Sequence, residues 1–212
     1  MTDLFTLWLL YFTSFITLMN PLGVMPVFMS MTSGLDRKQR RRTALKALMT
    51  AFFTLIVFAF GGQMLFDFFG ISVSGLKVVG GILFFVMGYD MLNARLSRMK
   101  ISEEEVKNYV EDISITPLGI PMIAGPGSIT NAIILMDQSK QINEKMVLIT
   151  AILVVCLIVL TILLSASKIM KVLGDTGNKV MMKLMGLIVM VIAVEFFFTG
   201  ISPYVRTILS LP

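Results

Sequence analysis

Six stretches of this chain stay apolar for about twenty residues or more, at about 4–31, 44–66, 71–93, 114–137, 146–168 and 179–200. A helix of about 20 apolar residues crosses a bilayer core of roughly 30 Å. The predicted fold is therefore an all-α integral membrane protein with six transmembrane helices. Composition agrees, with 56% hydrophobic and only 15% charged residues, where soluble domains carry roughly 25% charged. The first run has no basic segment before it and no small-residue cleavage site after it, so it reads as a retained span and not as a signal peptide.

Some chemistry is excluded at once. The chain has no histidine and one cysteine, Cys156, inside an apolar run. Intrachain disulfides, thiolate–imidazole metal sites, histidine bases and histidine proton relays all drop out. No catalytic residue, metal or cofactor is expected.

Net charge is +5, but the basic residues are distributed for a membrane and not for nucleic acid. Arg37, Lys38, Arg40, Arg41, Arg42 and Lys46 flank the first connection. Arg95, Arg98, Lys100 and Lys107 lie in the third, and Lys168, Lys171, Lys179 and Lys183 in the fifth. These fourteen face only Lys140, Lys145 and Arg206 on the other side, with Lys77 inside a span. The positive-inside rule then makes the odd connections cytoplasmic and both termini external. "RKQRRR" could also serve as an RNA or anionic-lipid patch, but orientation accounts for it. The expected location is the cell's inner (plasma) membrane, with multiple passes.

Weak internal matches recur in order at offsets of about 100 residues. "LMTAFFTLIVF" (48–58) resembles "LITAILVVCLIV" (148–159), and "KVVGGILFF" (77–85) resembles "KLMGLIVMV" (183–191). "TLMNPLGVMP" in the first span answers "SITPLGIPMIAGPGS" in the fourth. The organisation predicted is a three-span repeat over 1–93, a cytoplasmic connection over 94–113 and a second three-span repeat over 114–212. An odd number of spans per half forces the second half to be inverted, as in many secondary transporters. In the first and fourth spans two registers compete. "PLGVMP" matches "PLGIP" by letter, while "NPLG" matches "GPGS" by depth, and depth is the better guide to function.

The breakers in those two spans are the chemical signal. Proline removes a backbone donor, and such interruptions at membrane depth are tolerated where they are buried in protein or line a wet cavity. Spans 1 and 4 are thus expected to break near the midplane and to form one pocket. A half-helix starting there offers N–H groups and a positive dipole end to an anion, and unwound carbonyls attract a cation. An α-amino acid carries both charges. The expected binding residues are Asn20, Pro21, Leu22 and Gly23 with Gly125, Pro126, Gly127, Ser128, Thr130 and Asn131. The glycines admit only small side chains. One such site alone would be an ordinary proline kink; two at matching depth are harder to explain that way.

"NPLGVMPVF" with "TPLGIPMIAGPGSIT" resembles the MarC family of six-span bacterial and archaeal membrane proteins, over essentially the whole chain. The resemblance implies transport of small neutral amino acids of the glycine and alanine class.

Charges within spans form a second candidate set. Lys77 and Glu195 lie near the external ends of the third and sixth spans, Asp90 and Lys183 near their cytoplasmic ends. The pairs Lys77–Glu195 and Lys183–Asp90 are candidate alternating gates, with snorkelling to headgroups as the plainer reading. The coupling ion, a proton or sodium, is left open. So is a homo-oligomer, since Gly61–Gly62 and Gly80–Gly81 could pack helices within or between chains. Two other function classes compete. One is a channel or a non-transporting scaffold. The other is an intramembrane aspartyl hydrolase, using Asp90 and Asp175, which lacks the Gly-x-Gly-Asp form because Val172 stands where glycine is needed.

Overall fold

Asparagine, proline and glycine punctuate the apolar runs, and in the computed structural model of the protein they decide where helices begin and end. The structure describes residues 4–93 and 106–209. Helix α1 (Leu4–Met19) runs to Asn20, whose backbone is left-handed at φ 39°. Asparagine is one of the few residues besides glycine that tolerate this region. Helix α2 (Pro21–Met31) restarts with Pro21 in its first turn, where a missing N–H is least costly. Apart from Leu22, residues 21–28 are buried, so the interrupted backbone is shielded from lipid.

Helix α3 (Arg37–Phe69) begins before the predicted span because Asp36 and Gln39 form a reciprocal cap, each bond 2.8 Å long. Its end is set by Gly70 at φ 64°. At 1.5 Å per residue it is about 50 Å long, well beyond a ~30 Å hydrocarbon core. Its basic first turns therefore extend past the apolar run. Helix α4 (Val73–Leu92) is capped by Ser72, whose Oγ accepts from Gly75 N at 2.9 Å.

Of the connection predicted over 94–113, residues 94–105 lie outside the described residues, and the remainder includes helix α5 (Val106–Ile113). An irregular π-type segment, Ser114–Ile123, follows. Thr116 and Ile120 are extended there, each directly before a proline, as the steric clash with the proline ring favours. Helix α6 (Pro126–Gln138) then leaves at 61° to Asn108–Ile123. Helix α7 (Ile142–Ile208) consists of two arms, Ile142–Ile169 and Thr176–Ile208, joined across a kink at Gly174 with φ 67°. All described elements are helical. Five helices are long and apolar enough to cross a membrane, or six if the bent pair counts as one span.

Side-chain contacts sort the connections into two ends of the molecule. At one end Tyr109 Oη donates to Met31 O at 2.9 Å, and Lys46 Nζ donates to Glu111 at 2.7 Å. Lys168 and Lys171 close a cleft with Arg37 and Arg41 at that same end. At the other, Tyr11 bonds Ser139 at 3.1 Å and Ser72 bonds Tyr204 at 2.6 Å. The first and fifth basic connections thus share one face; Arg95, Arg98 and Lys100 of the third lie outside the described residues.

Helix α4 and the second arm of α7 run antiparallel and pack backbone against backbone. A β-carbon built on Gly81 would lie 2.7 Å from Ala193 O, one on Gly186 2.8 Å from Gly88 O, and one on Gly200 2.7 Å from Ser74 O. Small residues let the two backbones approach to this degree, the usual way helices gain packing where lipid removes the hydrophobic drive. Leu48, Ala51, Leu55 and Ala59 in α3 are buried, as are Leu148, Ala151, Val155 and Val159 in the first arm of α7.

Candidate functional site

The two proline-bearing helix starts are built alike. Asn20, Pro21, Leu22 and Gly23 occupy the cap and the first three helical positions of α2, and Gly125, Pro126, Gly127 and Ser128 the same four positions of α6. The register is the one chosen by depth.

Their capping differs. Gly23 N donates to Asn20 Oδ1 at 3.2 Å and to Asn20 O at 2.9 Å, and Val24 N donates to Asn20 O at 3.2 Å. In the first turn of α2 the Gly23 and Val24 amides are thus satisfied. At α6, Gly125 supplies no side-chain cap, and Ser128 Oγ turns back to donate to Gly125 O at 2.9 Å. The amides of Gly127 and Ser128 precede the first intrahelical bond, Ile129 N to Gly125 O at 2.9 Å. The positive dipole end with uncapped donors is at α6. The complementary negative end is that of α1, because Pro21 has no N–H to offer the Thr17 carbonyl.

The two sites meet through side chains. A β-carbon on Gly127 would stand 3.1 Å from Leu18 Cδ2, just before the Asn20 break, and 2.2 Å from Phe196 Cζ. One on Gly125 would stand 2.6 Å from Phe84 Cζ, and one on Gly80 2.3 Å from Pro126 Cβ. Phe84 and Phe196 stack with centroids 6.0 Å apart. These rings, from α4 and the second arm of α7, lie directly over the start of α6.

A cavity of about 40 Å³ adjoins this junction, lined by Leu18, Asn20, Gly23 and Phe84 and by the thioethers of Met19, Met87, Met91 and Met122, among others. That is room for a few water molecules, and Asn20 supplies its polar side chain. Further along α6, Thr130 is 3% exposed, and its Oγ1 has no hydrogen-bonding partner; neither has Asn131 Nδ2. Both residues share the Gly127 face of the helix at spacings of three and four. A buried polar atom left unpaired costs about 1–3 kcal/mol, so this face is chemically unsatisfied.

Not every predicted residue reaches the junction. Of the ten predicted binding residues only Asn20 and Gly23 line the cavity; Pro21, Leu22 (56% exposed), Gly125, Pro126, Gly127, Ser128, Thr130 and Asn131 do not. Lys77 and Asp90 are half-buried on α4, Lys183 and Glu195 exposed on the second arm of α7. Among the described residues the ion pairs are Arg42–Glu111 at 3.7 Å and Lys46–Glu111 at 2.7 Å, so the four charges are not paired with one another in this conformation. The side chain of Asp175 lies outside the described residues.

Leu18, Phe84 and Phe196 were not anticipated, since leucine and phenylalanine in apolar helices read as packing or lipid-facing residues. A signal existed: Gly80, Phe84 and Gly88 recur every four residues, and a face holding two glycines turns toward protein more readily than toward lipid.

Residues 5–205 match the profile of the MarC family integral membrane proteins. A UPF0056 membrane protein of Pyrococcus horikoshii is 38% identical over 194 residues, covering 92% of this chain and 94% of that protein. One from Methanocaldococcus jannaschii is 35% identical, covering 91% and 95%. The Bacillus subtilis protein YvbG is 34% identical, covering 90% and 92%. No solved structure matches the chain.

Proposed function

Given that the chain belongs to the MarC family of integral membrane proteins, we propose that it is a secondary transporter of small neutral amino acids, of the glycine and alanine class, working by alternating access. The observation that carries this is the meeting of two interrupted spans at Leu18, Phe84 and Gly127. The substrate carboxylate binds the uncapped Gly127 and Ser128 amides at the positive end of α6, and its ammonium faces the carbonyl end of α1. Thr130 Oγ1 and Asn131 Nδ2 complete the polar lining.

In this reading the protein sits in the cell's inner membrane as two inverted three-span repeats. Both termini are external, and spans 1 and 4 break near the midplane. The stacked Phe84–Phe196 pair closes the site in the present conformation. Opening moves the second arm of α7, and with it Phe196, away from Gly127. Lys77, Glu195, Asp90 and Lys183 bias which end opens.

Counterflow with purified protein in liposomes tests the reading. Vesicles loaded with unlabelled glycine should accumulate labelled glycine and alanine transiently and saturably, and should exclude leucine and phenylalanine. Unsaturable passage would mark a channel, and no passage of any of the twenty amino acids a scaffold.

A further inference from the structure

The basic run at the start of α3 is divided by the fold into groups with different occupations. Arg40 is used internally, donating from Nε to Thr32 O at 2.9 Å and from its terminal nitrogen to Ser33 O at 3.2 Å. Arg42 and Lys46 turn to Glu111. Arg37, Lys38 and Arg41, together with Arg40, line a cleft of about 840 Å³, whose lining also includes Lys168 and Lys171 from the stretch of α7 that leads to its kink. No acidic side chain lines it, and none of these six cations forms an ion pair among the described residues.

The arrangement is unfavourable as it stands. Six like charges border one cleft, and Arg37 and Lys38 lie in the first turn of α3, where the helix dipole is already positive. An anion relieves both. A small free anion would have no use for the rest of the cleft, which is built from Phe28, Met29, Leu35, Leu163 and Leu164. Phe28, Leu35 and Leu163 are buried, while Leu164 is 44% exposed on the flank of its helix. The cleft lies where the apolar runs of α2 and α7 end and the basic turns begin, which is the depth of a headgroup.

We infer that this cleft is a binding site for an anionic phospholipid. Its phosphate sits among Arg37, Lys38, Arg41, Lys168 and Lys171, and its acyl chain lies along Met29 and Leu164. Basic pockets between spanning helices hold such headgroups by charge. The lipid would bridge the first connection and the kink of α7, two segments far apart in sequence. This site is separate from the helix starts at Asn20 and Gly125, and the inference does not depend on what the protein transports.

Native mass spectrometry of the full chain, released from mixed phosphatidylglycerol and phosphatidylcholine micelles, tests it. One phosphatidylglycerol should be retained in preference to phosphatidylcholine. A Lys168→Ala/Lys171→Ala variant should lose that preference by about 25-fold, from roughly fivefold per basic residue. Lys140→Ala/Lys145→Ala, at the other end, should keep it. Arg41→Gln, on α3, should weaken it about fivefold, which guards against a local fold defect at the kink. Equal retention of the two lipids would overturn the inference, as would an unchanged preference in both the lysine and arginine variants. Displacement of the lipid by millimolar inorganic phosphate, or by a short RNA, would also overturn it in favour of a free anion or nucleic acid.

Discussion

Phe196 lies over Gly127: a β-carbon on that glycine would stand 2.2 Å from Cζ of the ring, closer than any real contact. The glycine belongs to the uncapped start of α6 and the ring to the second arm of α7. The absence of one side chain is thus what lets the Phe196 ring pack against the start of α6. Gly127→Val should abolish glycine counterflow, because the valine both holds the ring away and fills the space of the carboxylate. Phe196→Ala should leave glycine transport measurable and admit larger side chains, leucine before phenylalanine. Normal glycine exchange by a folded Gly127→Val protein would remove the site from α6.

Orientation can be read by labelling. In a Cys156→Ala background, a cysteine replacing exposed Lys140 should react with an impermeant maleimide added to intact cells. One replacing exposed Lys171 should react only after the membrane is opened. Lys140 serves better than Ser139, which is buried against Tyr11. The opposite pattern would invert the positive-inside assignment.

If the four intramembrane charges bias alternating states, Glu195→Gln and Asp90→Asn should shift the accessibility of a cysteine at Leu18 in opposite directions. The expected change in labelling ratio is about two- to fivefold for partly wetted charges. Shifts in the same direction, or none, would leave the four as headgroup-seeking residues.

The glycine seam sets stability separately from transport. A β-carbon on Gly186 meets the Gly88 carbonyl at 2.8 Å and Leu92 N at 3.0 Å, backbone atoms that cannot swing aside. Gly186→Val should destabilise the protein by about 1–3 kcal/mol, as overpacking does, lowering its melting temperature in detergent. Gly34→Ala, with nothing within 4 Å of the new carbon, should melt like the wild type.

Several features were readable from the residues because they depend on local chemistry. The apolar runs predicted the helices, since burial in hydrocarbon and helix length are properties of a single segment. Pro21 and Pro126 marked helix starts because a proline lacks its N–H whatever surrounds it. Depth likewise aligned Asn20 with Gly125. What no segment carries alone is who meets whom. Asn20 caps Gly23 with its own side chain, whereas Gly125 has none to offer, so the Ser128 amide at the matching position is left uncapped. Phe84 and Phe196 became site residues only when α4 and α7 closed over α6. Arg37 and Lys171, 134 positions apart in the chain, became neighbours only when the first arm of α7 returned beside α3. Helix-forming tendency is short-range and is written residue by residue. Contact between helices depends on which faces can approach most closely, and that is decided by the whole packed set.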